Sequence, residues 1–106
     1  VFSTFVLQVT IVDCDVHQGD GTATIFEDDP SVRTLSFHCQ DNFPANKPAS
    51  DIDVGFPAGA GDDDLLSELL RVLPEELTRN PPDLVLYDAG VDMHAGDRLG
   101  KMLISG

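Results

Sequence analysis

Phe5-Val6-Leu7-Gln8-Val9-Thr10-Ile11-Val12 runs directly into Asp13-Cys14-Asp15-Val16-His17-Gln18-Gly19-Asp20-Gly21-Thr22. The first stretch is apolar and β-branched, which reads as a strand buried on both faces, as in a parallel sheet. The second is polar and glycine-containing, and reads as the loop leaving that strand's carboxyl end. Downstream, Thr22 to Glu27 reads as a short helix capped by Thr22, and Val32 to Phe37 as a second strand. Asp41 to Pro57 is loop-rich, with an alternating piece, Ile52 to Phe56, that reads as a short strand. Asp62 to Leu77 reads as a helix: Asp62, Asp63 and Asp64 cap it and place negative charge at its start. Leu65, Leu66, Leu69, Leu70, Leu73 and Leu77 form its core-facing stripe. Pro74 is expected to kink or restart this helix, and Pro81 and Pro82 to end it. Leu84 to Tyr87 is a third strand, Asp88 to Arg98 its exit loop, and Leu99 to Ile104 the start of a further element. This order predicts an α/β fold with a mostly parallel sheet.

The 106 residues suit one domain. No apolar run reaches the roughly 18 residues needed to cross a bilayer, and the start carries neither a basic segment nor a cleavage pattern. No membrane association is expected. The 19 acidic against 6 basic residues give a formal charge of −13, which opposes direct nucleic-acid binding. Such a surface suits a cationic or lysine-rich partner, or serves only solubility. Cys14 and Cys39 form no C-x-x-C pair and no disulfide framework, so the expected setting is intracellular. Cys14, inside the strand pattern, reads as a buried structural thiol.

In open α/β sheets, ligands bind beyond the carboxyl ends of the strands. Two such ends are rich in charge here: Asp13, Asp15, His17 and Asp20 after the first strand, and Asp88, Asp92, His94 and Asp97 after the third. An extended segment would point Asp13, Asp15 and His17 to one side. Grouping carboxylates there requires a compensating cation. Asp15, His17 and Asp92 then offer two oxygen ligands and one nitrogen, which neutralise a divalent ion and leave positions open, the pattern of a catalytic metal. His38 and His94 read as structural or exposed. Asp88 and Asp97 are expected to cap backbone groups of their loop.

The string Asp13 to Thr22, taken with Tyr87-Asp88-Ala89-Gly90-Val91-Asp92-Met93-His94-Ala95-Gly96-Asp97-Arg98-Leu99-Gly100, resembles the zinc-dependent histone deacetylase family of the arginase/deacetylase superfamily. The resemblance extends from about Val9 onward. Gln18, Asn42-Phe43-Pro44 and the Gly96 to Gly100 string look most like the class IV branch and its bacterial relatives.

The resemblance implies a partial three-layer arginase/deacetylase fold. Residues 1–106 would be the central fragment of one catalytic domain. Asp15, His17 and Asp92 would bind Zn2+. Asp13 and Asp20 would orient two catalytic histidines, and Phe43 would line the acyl-lysine channel. A structural K+ would lie among Asp13, Ser36 and the carbonyls of Asp15, His17 and Phe37. The implied reaction is hydrolysis of an acyl-lysine amide on a protein such as a histone tail. That implies chromatin regulation, in the nucleus or cytoplasm of a eukaryote or the cytoplasm of a bacterium.

The family's paired histidines and its glycine-rich tyrosine loop have no counterpart here. The one tyrosine, Tyr87, sits in a strand. The chain alone is therefore expected to be inactive, as a fragment or as a non-catalytic, acyl-lysine-binding pseudoenzyme. An arginase-like two-manganese site lacks a carboxylate at Gly90. A haloacid-dehalogenase-type phosphatase would use Asp13 and Asp15 with magnesium, but leaves His17 and Asp92 unused. An EF-hand fails because Thr24 stands where a glutamate is required.

Overall fold

The computed structural model describes residue 5 and residues 7–106. Its elements run β1 (Val9–Asp13), α1 (Asp20–Phe26), β2 (Val32–Cys39), β3 (Ile52–Phe56), α2 (Asp62–Arg79) and β4 (Leu84–Asp88). The strands form one sheet in the order β3-β2-β1-β4, and every pairing is parallel. The α/β, parallel-sheet expectation therefore holds. The chain leaves β1 toward β2 and returns through α2 to the opposite side, so the strand order reverses between β1 and β4. Crevices at such reversals, beyond the carboxyl ends of the strands, are where open α/β sheets bind ligands.

Side-chain alternation divides the sheet into two unlike faces. Val12, Leu35, Phe37, Cys39 and Phe56 point to one face. There they meet Leu65 and Val72 of α2, together with Met93 and Met102, in a single apolar core. The other face is polar at its carboxyl end: Asp13 lies beside Ser36, and Ser36 beside Asp53, in register. α1 packs on β2 and buries Ala23 outside the main core. Helices thus flank the sheet, as a three-layer fragment requires.

Several boundaries depart from the sequence expectation. The first strand begins at Val9; Val6 lies outside the described residues, and Phe5 and Leu7 are exposed. α1 starts at Asp20 with Gly19 as its N-cap, so Thr22 lies inside the helix and caps nothing. The N-cap of α2 is Gly61, whose N–H donates to Asp64 Oδ2 at 2.9 Å, while Asp62 accepts from Ser105. α2 continues through Pro74 to Arg79 without restarting. Leu66 and Leu70 are exposed rather than core. They lie about 100° round the helix from Leu65 and Leu69, while Val72 and Glu76 complete the buried face. Glu76 accepts from Arg33 Nε at 2.7 Å, which satisfies that buried carboxylate. β4 is exposed along its whole length. The Leu99 to Ile104 segment forms no regular element among the described residues. It is held by single bridges, Gly61 to Leu103 and His94 to Ile104. No helix among the described residues is long and apolar enough to cross a membrane.

Candidate metal centre

Beyond Asp13 the chain bends instead of staying extended. Asp15 N–H donates to Asp13 Oδ1 and His17 N–H donates to Asp15 Oδ1, both at 2.8 Å. Two successive aspartate-anchored turns of this kind let a short loop reverse direction. Cys14 and Val16 point into the core, as does Met93 after β4, so Asp15, His17 and Asp92 are left to face one another. Asp13 is not one of that cluster; its Oδ2 lies against Gly19, where an added Cβ would strike it.

His17 Nδ1 lies 3.0 Å from Asp15 Oδ1 and 3.0 Å from Asp92 Oδ2. One ligand atom from each of the three residues falls within 4.8 Å of the others. A tetrahedral zinc with bonds of about 2.0–2.2 Å places neighbouring ligand atoms roughly 3.3–3.6 Å apart, so the two His17 separations need to open only by tenths of an ångström. The three groups are half-buried, which leaves a side for water and substrate. Their chemistry, two carboxylates and one imidazole, fits a divalent ion with open positions.

The surrounding residues fix this arrangement. Val16 N–H donates to Asp92 Oδ1 at 2.9 Å, setting the carboxylate from across the sheet reversal. Gly90 permits the approach, since a Cβ there would lie 2.6 Å from both Asp15 Cα and Asp15 Oδ2. The same crowding explains why Gly90 offers no room for a second metal-binding carboxylate. A Cβ on Gly100 would lie 1.8 Å from the Asp92 carbonyl oxygen, so that turn packs directly behind the ligand. Asp97 caps Leu99 and Gly100, as expected. Among the described residues, by contrast, no backbone N–H donates to the Asp88 carboxylate.

Asp13 is 7% exposed. Burial pushes its carboxyl up to about 6, with repulsion from Asp88, Asp15 and Asp92 adding to the rise and the Asp15 N–H opposing it. Among the described residues no lysine or arginine pairs with it. Ser36 is its neighbour in register and is buried. Phe37 is buried with its ring in the core. Asp20, the first residue of α1, makes no capping bond. Phe43 is 70% exposed on the loop after β2, and its N–H donates to Asn42 Oδ1 at 2.8 Å. Asn42 in turn donates to the carbonyls of Leu99 and Gly100.

The profile of the histone deacetylase domain matches residues 3–106. The chain belongs to the histone deacetylase family. It is 56% identical over 98 residues to an uncharacterized protein of Picosynechococcus sp., covering 92% of this chain and 33% of that one. It is 40% identical over 111 residues to rat polyamine deacetylase HDAC10, covering 90% and 19%. Among solved structures in the histone deacetylase family, Clr3 superposes with a TM-score of 0.78 at 33% identity, covering 93% of this chain and 19% of that one. The HDA15 HD domain also gives 0.78, at 32% identity, covering 92% and 32%. The chain thus spans about a third or less of the length of these relatives.

Sequence reasoning overlooked the Val16 backbone donor, the close approach at Gly90 and the Asn42 bridge. The first leaves no signal, because any residue has the same N–H. The glycines at 90 and 100 inside a charged string were the available clue to close backbone contact.

Proposed function

We propose that this chain is the metal-binding centre of a zinc-dependent deacylase that hydrolyses the amide of an acylated lysine. The observation that carries the reading is the convergence of Asp15, His17 and Asp92 from two strand ends into one half-buried cluster. Zinc held there supplies Lewis acidity, activating water near neutral pH and polarising a carbonyl. The chain's own residues hold and shape that site: Val16 N–H and the Gly100 turn orient Asp92, and Asp13 anchors the Asp15 turn. Asp13 and Asp20 are assigned to orienting the general acid–base histidines that the family motif calls for. Phe43 is assigned to the channel of the acyl-lysine chain, and the acidic surface suits a lysine-rich tail. The class IV-like assignment rests on Gln18, Asn42 to Pro44 and Gly96 to Gly100.

A monovalent cation, K+, is assigned to Asp13, Ser36 and the carbonyls of Asp15, His17 and Phe37. The donor set fits it. Asp13 is a buried carboxylate with no cationic partner among the described residues, and such a group calls for a compensating charge. Among those residues, the Asp15 and His17 carbonyls accept no backbone hydrogen bond.

None of the three histidines or Tyr87 matches the family's histidine pair or tyrosine. We therefore assign metal binding without turnover to the 106 residues alone, within an intracellular protein. A haloacid-dehalogenase-type reading would make Asp13 a nucleophile, but Asp13 is buried and occupied by the Asp15 N–H.

The test is zinc binding by calorimetry in the wild-type chain and in Asp92→Ala. The wild type is expected to bind one zinc and the variant to lose it. Equal binding by both would overturn the ligand assignment.

A further inference from the structure

Gln18, the residue after the metal ligand His17, is 3% exposed. Its Nε2 donates to the Pro48 carbonyl at 2.5 Å and to Asp53 Oδ1 at 3.0 Å. Both partners are acceptors, so both amide hydrogens are committed and the amide has one orientation. Turned round, its oxygen would face two acceptors. The Asp53 carboxylate passes the contact on, because its Oδ2 accepts the Ser50 N–H at 2.8 Å. The loop that carries Asp15 and His17 is thereby tied to the far end of the segment between β2 and β3.

The near end of that segment is tied to the other metal-binding loop. Asn42 Nδ2 donates to the carbonyls of Leu99 at 2.7 Å and Gly100 at 3.1 Å. Its Oδ1 accepts the Phe43 N–H, so this amide is also fully committed. Gly100 packs directly behind Asp92. Lys47 joins the two ends: its Nζ donates to the carbonyls of Asn42 and Pro44, one residue before Pro48. An arch of contacts thus runs from His17 through Gln18, Lys47 and Asn42 to Asp92, separate from the β1–β4 pairing. Phe43 lies within it and is 70% exposed.

We propose that the segment from Asn42 to Pro48 is a brace between the two metal-binding loops, with Gln18 and Asn42 as its positioning residues. A brace anchored at both ends takes its shape only when both loops are in place. An ion that fixes the loops therefore fixes the setting of Phe43, and by linkage the brace strengthens the grip on the ion. This rests on the metal reading of Asp15, His17 and Asp92.

The experiment is amide exchange of the full chain, read by NMR with and without saturating zinc chloride, beside zinc calorimetry. In the wild type, zinc should slow exchange at residues 43–47 about three- to tenfold, the worth of one hydrogen bond, as well as at Asp15 and His17. Gln18→Met keeps the bulk without the donors. With zinc saturating, it should still show slowing at Asp15 and His17 but none at residues 43–47. Gln18→Met and Asn42→Ala should each weaken zinc binding about three- to tenfold. The double variant should bind no more weakly than the weaker single one, since one broken end already frees the brace. Losses that multiply, or slowing at residues 43–47 that survives in Gln18→Met, overturn the proposal. If Gln18→Met does not fold, Asn42→Ala, at a half-buried loop position, carries the same exchange comparison. A wild type that binds no zinc instead overturns the metal reading beneath it.

Discussion

Gly90 tests the metal centre with one methyl group. A Cβ at this position would strike Asp15 at its backbone and its carboxylate, so Gly90→Ala must push the two ligand loops apart. The expected result is zinc affinity about 10–100-fold weaker, the usual consequence of disturbing what holds a metal ligand. Calorimetry should show it, with the metal-free melting temperature as control. Asp15 and His17 were legible in the sequence because they share one string, and Asp92 because a second string carries it. That the segment bends after Asp13 was not legible. It depends on hydrogen bonds from Asp15 N–H and His17 N–H that bend a segment whose residue types suit an extended chain equally well. Cys14 behaves as its strand pattern suggested. Burial pushes its thiol up to about 11, so at pH 8 it holds roughly a hundredfold less thiolate than an ordinary cysteine. Ellman's reagent should therefore label the folded chain far more slowly than the denatured one, and equal rates would contradict the burial.

Within the elements, α2 shows where periodicity informs and where it misleads. Its six leucines read as one stripe, but only those aligned with Val72 and Glu76 meet the sheet. Leu65→Ala should cost about 2–5 kcal/mol in chemical denaturation, whereas Leu70→Ala should change stability by no more than about 0.5 kcal/mol. Similar losses at both positions would mean that the helix is seated differently. The order of strands and helices was readable because each has its own hydrophobic period. Their ends were not, because Gly19 and Gly61, which cap the helices, carry no side-chain signal. The Asn42 bridge joins loops more than fifty residues apart through two donated hydrogen bonds. Asn42→Asp would set an oxygen against the Leu99 and Gly100 carbonyls. Faster amide exchange across Asp97 to Gly100, with the strands unaffected, is the expected outcome.

For the molecule as a whole, two features oppose each other. Among the described residues β4 is an edge strand with Leu84, Val85, Leu86 and Tyr87 exposed, and unpaired apolar edges invite strand addition. The charge of −13 keeps copies apart, and salt screens that repulsion. Light scattering should show the isolated chain associating more at about 0.5 M salt than at about 0.05 M, where the Debye length is several times longer. The parallel sheet was legible from the continuous apolar strands. The exposure of β4 was not, because Leu-Val-Leu-Tyr looks the same whether or not another element covers it. The reversal of strand order between β1 and β4 has a mechanical corollary. An ion gripped by Asp15, His17 and Asp92 rivets two distant parts of the sequence together just where, among the described residues, β4 is fastened to β1 alone. Stripping it with a chelator should let β4 peel first, with deuterium entering residues 84–88 while β1 and β2 stay closed.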